Sequence, residues 1–102
     1  MMHNAPKRAV RCVRLATEDA PALSSLESRC FALPWTEQAF AEAFAGKTFH
    51  AFGIRETASP LSPRELAGYI AVYHTPDEVE ILNIAVREDR RRHGYGRLLM
   101  AT

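Results

Sequence analysis

Glu80-Ile81-Leu82-Asn83-Ile84-Ala85-Val86 runs straight into Arg87-Glu88-Asp89-Arg90-Arg91-Arg92-His93, and then into Gly94-Tyr95-Gly96-Arg97-Leu98-Leu99. An apolar strand enters a cationic loop, and two glycines open a helix. Glycine lets backbone approach a ligand closely and adopt positive φ. The first turn of a helix offers unpaired N–H groups and a partial positive charge. In this order the parts make an anion site suited to a phosphate or pyrophosphate. The arginines add attraction and further contacts. By itself a Gly-x-Gly marks a turn and an arginine run marks a solvated face. Their conjunction after an apolar strand is what points to a ligand.

Working outward, Glu78–Val86 is the strand, and Thr75-Pro76-Asp77 is the turn before it. Leu66–His74 reads as another strand, with Tyr69, Ile70, Val72 and Tyr73. Pro60 and Pro63 make 56–65 a loop, and Thr48–Arg55 precedes it as a strand. Ala9–Ala16 is the first strand. Thr17 and Asp19 are candidate caps, and Pro21 suits a first turn. Leu23, Leu26 and Cys30 then form one apolar helical stripe. Pro34 disfavours helix at Leu33 and breaks the run. Thr36 caps a second helix, Glu37 complements its dipole, and Phe40 and Phe44 share its inner face. Gly46 is expected to end it with the usual left-handed glycine cap. The order β-α-α-β-β-β-α predicts an α/β (α+β) fold, an antiparallel meander with helices packed on the sheet. One domain is expected: a frayed tail at 1–8, the sheet and first two helices at 9–86, and the loop and third helix at 87–102.

A chain of 102 residues is one domain at most. The net charge of +1 gives no global push toward nucleic acid or a membrane. The positive charge is local: Arg87, Arg90, Arg91, Arg92 and Arg97 fall within eleven residues. That cluster lacks interleaved aromatics apart from Tyr95, which argues against direct nucleic-acid binding. Cys12 and Cys30 fit no zinc or disulfide pattern, and we expect reduced thiols in a cytoplasmic protein. No apolar run has membrane-spanning length, the N-terminus does not read as a signal peptide, and no metal-ligand pattern is present.

Arg91-x-x-Gly94-x-Gly96 resembles the (Gln/Arg)-x-x-Gly-x-(Gly/Ala) signature of the GNAT superfamily of N-acetyltransferases. It sits where that family carries it, after the fourth strand and at the start of the third helix. Asn83-Ile84-Ala85-Val86 resembles the strand ending of the bacterial branch that acetylates the N-terminal alanine of a small-subunit ribosomal protein. Phe31-Ala32-Leu33-Pro34-Trp35-Thr36 resembles that branch's aromatic-Pro-Trp-Ser/Thr loop. The resemblance runs from about Val10 onward.

It implies a GNAT-like mixed, mainly antiparallel sheet flanked by helices, with acetyl-CoA as cosubstrate. The acceptor would be a primary amine, a protein N-terminus in that branch. The backbone of Ile84, Ala85 and Val86 would pair with the pantetheine arm, and an N–H near Val86 would polarise the thioester carbonyl. The backbone through Arg91, Arg92, His93, Gly94, Tyr95 and Gly96 would wrap the pyrophosphate, with Arg97 nearby. Phe31 and Trp35 would floor the acceptor site.

Acyl transfer to an amine needs a base, donors for the oxyanion and an acid. Glu80 is the candidate base: by period-two alternation it shares a strand face with Leu82, Ile84 and Val86. A carboxylate among apolar neighbours suits that role. The other reading makes Glu80 a solvent-facing residue or the partner of an arginine. His50 and Tyr69 read as sheet residues, and His74 as a surface residue.

The family continues past its third helix with β-α-β-β, whereas this chain stops at Thr102. The expectation is a C-terminally truncated domain with an exposed edge along 78–86. A homo-oligomer or strand exchange would then cover that edge. A catalytically inactive acetyl-CoA-binding or dimerisation fragment is the alternative to an active enzyme.

Overall fold

The computed structural model describes residues 9–57, 61 and 65–101. The expected tail at 1–8 and the proline-bearing middle of the 56–65 connection lie outside the described residues. Strand β1 (Ala9–Arg14), helices α1 (Ala20–Cys30) and α2 (Glu37–Ala45), strands β2 (Phe49–Thr57), β3 (Gly68–His74) and β4 (Val79–Val86), and helix α3 (Tyr95–Met100) follow in the predicted order. Single 3-10 turns at Thr17–Asp19 and Glu88–Arg90 lead toward α1 and α3. The strands lie in the order β1-β2-β3-β4, and every neighbouring pair is antiparallel.

Both faces of the sheet are packed. On one face Leu23 and Leu26 of α1 and Phe40 of α2 meet Leu15, Phe49, Ala51, Tyr69 and Ala85. On the other, Tyr95 and Leu99 of α3 meet Ile54, Ala67 and Ile70. Leu23 is fully buried, and burial of a leucine of this kind contributes about 1.5–3 kcal/mol. Aromatic edges and faces knit the first core: Phe40 lies 6.0 Å from Tyr69 at right angles, and Phe44 lies 5.1 Å from Phe49.

The ends of the helices are fixed locally. Thr36 Oγ1 accepts the Ala39 N–H at 3.0 Å, which satisfies one orphan donor of α2. Asp19 Oδ2 accepts the Ala16 N–H at 2.9 Å, while its other oxygen pairs with Arg55 of β2. The turn before α1 is thereby tied to the sheet. Gly46 departs from expectation. It has φ −80° and ψ 163°, so α2 ends in extended backbone rather than in a left-handed cap. The chain enters β2 within three residues, and an extended exit aims it there.

Strand β4 contains the irregularity that matters most for the site. Ala71 pairs with Asn83, but the next residue, Val72, pairs with Ile81, so Leu82 is an extra residue in a β-bulge. Before the bulge Glu80 lies opposite Tyr73, and after it Ile84 lies opposite Ile70. Tyr73 belongs to the α1/α2 face, where its ring is 6.0 Å from Phe49. Ile70 belongs to the α3 face. The expected sharing of one face by Glu80, Ile84 and Val86 is therefore wrong. Glu80 keeps company with Leu82, which packs against the first core, while Ile84 and Val86 turn to the other side. A one-residue insertion inverts the alternation, and nothing in the strand's own composition announces it.

Candidate functional site

The second half of β4, the loop after it and the start of α3 form one continuous edge. The Arg87 N–H donates to the Ala67 carbonyl at 2.8 Å, on the β3 side. Strand residues direct their backbone groups to alternate sides. Ala85 therefore faces β3, while Ile84 and Val86 face the edge that is unpaired among the described residues. The side chain of Ala85 is buried in the first core, and Ile84 is half exposed. The Val86 carbonyl accepts Arg91 Nε at 3.2 Å and lies 3.6 Å from Cys30 Sγ, so its position is held from two directions.

Beyond Val86 the loop is shaped by two left-handed residues, Arg92 at φ 67° and Gly94 at φ 80°. A non-glycine residue there is strained and persists only where the surroundings impose it. Added Cβ atoms at Gly94 or Gly96 would meet no heavy atom within 4 Å. A ligand can therefore come right up to the backbone at both glycines. Arg91, Arg92, His93 and Arg97 are exposed around this space. The open backbone and the exposed guanidinium groups make a cationic, sterically accessible surface.

The five arginines of the loop and the start of α3 do not act alike. Arg90 is buried and pairs with the fully buried Glu56 at 2.8 Å, and Tyr95 donates its hydroxyl to the same carboxylate. Hydrogen bonding to Glu56 pushes the Arg90 pKa up and keeps it charged despite burial. Arg87 reaches Glu65 and Asp89, each at 3.1 Å. Its hydrogen bond holds the Asp89 carboxyl below the usual range. Arg87 and Arg90 thus clamp the loop to the sheet, leaving Arg91, Arg92 and Arg97 to face solvent. Tyr95, read from sequence with the ligand-binding run, places its ring in the second core, so only its backbone reaches the loop's open side.

The α1–α2 loop lies beside the opposite face of β4. Phe31 is half exposed and Leu33 is 93% exposed. Leu33 was not singled out from the sequence, although an apolar residue before proline in a loop is a visible signal. Trp35 is half-buried, with its ring 5.2 Å from Phe40 and 6.2 Å from Phe49. It is as much a core residue as a lining one. Glu80 is exposed on this same face.

Sequence reading also passed over Glu27. This residue is 1% exposed and lies within the apolar stripe of α1. Its Oε1 accepts the Trp35 N–H at 2.9 Å. Its Oε2 accepts Asn83 Nδ2 at 2.8 Å and the Tyr69 hydroxyl. Burial, and then the hydrogen bond to Glu27, push the Tyr69 pKa well above that of an ordinary phenol. His50 accepts from Arg14 at 2.8 Å through Nδ1. No cluster suited to a metal ion occurs among the described residues, and none of their helices is long and apolar enough to cross a membrane.

A family model described as the acetyltransferase (GNAT) family matches residues 20–102. The [ribosomal protein bS18]-alanine N-acetyltransferase of Salmonella typhimurium is 33% identical over 86 residues, covering 84% of this chain and 53% of that protein. The crystal structure of the ribosomal-protein-S18-alanine N-acetyltransferase from Escherichia coli superposes with a TM-score of 0.77 at 30% identity. It covers 91% of this chain and 56% of that one. The structure of the PaiA N-acetyltransferase from Thermoplasma acidophilum in complex with coenzyme A has a TM-score of 0.72 at 10% identity. It covers 91% of this chain and 68% of that one, and shares the fold alone. The chain spans about half the length of the curated relatives it matches. With a family match that begins at α1 and runs through the glycine loop, the chain belongs to the GNAT acetyltransferase family.

Proposed function

We propose that the chain binds acetyl-CoA along β4 and the β4–α3 loop and serves in the transfer of an acetyl group to a primary amine, the α-amine of a ribosomal protein's N-terminal alanine. The observation that carries this reading is the open-sided loop. Two left-handed residues turn it, and space for a ligand stands against Gly94 and Gly96, beside an edge strand. The acceptor class rests on the names of the relatives and on the exposed apolar loop at 31–35.

Bound acetyl-CoA supplies the acetyl group as an activated thioester. The chain's own residues do the holding. Ile84 offers its backbone groups and Val86 its N–H along the open edge, the Val86 carbonyl being taken by Arg91 and Cys30, and Ala85 secures the strand to β3. The backbone from Arg91 to Gly96, including His93 and Tyr95, wraps the diphosphate, although the Arg91 N–H is already given to the Glu88 carbonyl. Arg91, Arg92 and Arg97 supply positive charge. Phe31, Leu33 and Trp35 form the acceptor floor. Glu80 is the proposed base on new grounds: the bulge turns it to the face that carries this floor.

A catalytically silent acetyl-CoA-binding unit is the second reading. It is favoured by the exposure of Glu80, since water rather than an apolar wall surrounds the carboxylate. Calorimetric titration of acetyl-CoA into the chain, beside a variant carrying Gly94→Glu and Gly96→Glu, tests the binding reading. Binding by the parent alone is expected. Equal binding by both would remove the loop from the site, and no binding by a folded parent would end the proposal. An assay with an alanine-initiated peptide then separates the two readings, because only the enzyme acetylates it and loses rate on Glu80→Gln.

A further inference from the structure

Glu27 poses a physical question that packing does not answer. A buried carboxylate is costly unless it is well paired, and an apolar residue of similar size is often the more stable occupant. Here the described donors to it are neutral, and they come from three separate places. Trp35 belongs to the α1–α2 loop, Tyr69 to β3 and Asn83 to β4. Asn83 lies at the bulge, one residue before Ile84. Trp35 is held at both of its peptide groups from α1. Glu27 takes its N–H, and Ser24 Oγ, one turn earlier, donates to its carbonyl at 3.4 Å. One carboxylate thus spans the acceptor floor and the strand along which the thioester would lie.

We propose that Glu27 is a positioning residue that sets the acceptor loop at a fixed distance from β4, so that a peptide's terminal amine on Phe31–Trp35 meets the acetyl group at Ile84–Val86. This rests on the proposed acetyl-CoA site. The device needs the two acceptor oxygens of a carboxylate. Oε1 takes the loop and Oε2 takes the strand, and a glutamine offers only one oxygen. Tyr69 adds stability to the network but is not part of the link between loop and strand. Its loss should therefore cost stability and leave the spacing intact.

The test uses Glu27→Gln, Asn83→Ala and Tyr69→Phe in the whole chain. Trp35 is the only tryptophan, so its emission reports on the loop directly. Glu27→Gln and Asn83→Ala should shift that emission and increase its quenching by acrylamide. They should also weaken binding of an alanine-initiated peptide to the acetyl-CoA complex by about tenfold. Tyr69→Phe should lower the melting temperature and leave both readouts at the parent's values. Asn83→Ala carries the test if Glu27→Gln does not fold. The inference is overturned if the folded variants keep the parent's emission and peptide affinity. It is equally overturned if peptide affinity simply follows melting temperature across all three. A parent that binds no acetyl-CoA would sink the functional reading, whereas the emission measurement would still decide whether Glu27 holds the loop.

Discussion

Tyr69 gives the Glu27 network a pH signature. Its phenol is buried and donates to a carboxylate, and both effects raise its pKa above the ordinary value of 10.0. A folded-state pKa raised in this way contributes stability that is fully present below pH 10 and is lost as the pH rises above it. Urea unfolding between pH 8 and 11 should therefore show the parent losing stability above pH 10 more steeply than Tyr69→Phe. Parallel profiles would mean that the phenol is not coupled to folding. At this scale the sequence was only partly legible. The glycines and the exposed arginines could be picked out, because their chemistry depends on their own conformation and charge. Glu27 could not, although a carboxylate in step with Leu23, Leu26 and Cys30 was a visible anomaly. Its partners stand 8, 42 and 56 positions away, and no local pattern records such distances. The burial of Arg90 on Glu56 was hidden for the same reason.

The junction between β4 and α3 shows how two glycines in one motif can do different work. Gly94 sits at φ 80° as the helix cap, whereas Gly96 lies inside α3 with no positive φ. Neither has a neighbour that an added methyl would strike, so backbone preference alone decides the outcome. Gly94→Ala should destabilise the fold by about 1–2 kcal/mol. Gly96→Ala should be neutral or stabilise it by up to about 1 kcal/mol. Equilibrium urea denaturation of the two variants checks both signs, and a loss of stability from Gly96→Ala would show that its surroundings are tighter than described. Strands, helices and the Thr36 cap were readable because each follows from periodicity or from a residue that caps its own helix. The bulge and the extended exit at Gly46 were not, since a register exists only between two strands and a helix exit depends on where the chain must go next.

Over the whole molecule, element order and the antiparallel run of β2, β3 and β4 followed from the sequence, because short connections leave consecutive strands few other places to go. The pairing of β1 with β2, by contrast, spans two helices, and no short connection dictates it. The sheet ends at β4, which is unpaired on its outer side among the described residues and exposes Val79 and Ile81. Backbone donors and acceptors beside apolar side chains form a template for another strand. Sedimentation velocity over a range of concentrations should show self-association of this chain, reduced when Val79 and Ile81 are both replaced by lysine. A single monomeric species at every concentration would show that the edge is protected. The extra residue at Leu82 has a consequence of another kind. It divides β4 into two stretches of opposite phase, one presenting Glu80 beside the proposed acceptor floor and the other presenting Ile84 and Val86 along the proposed donor side. Because the phase is reset between them, substitutions in 79–81 can alter the proposed acceptor face without putting 84–86 out of step. Restoring a regular ladder by deleting Leu82 would make both halves share one phase, and selectivity and acyl-donor binding would then no longer vary independently.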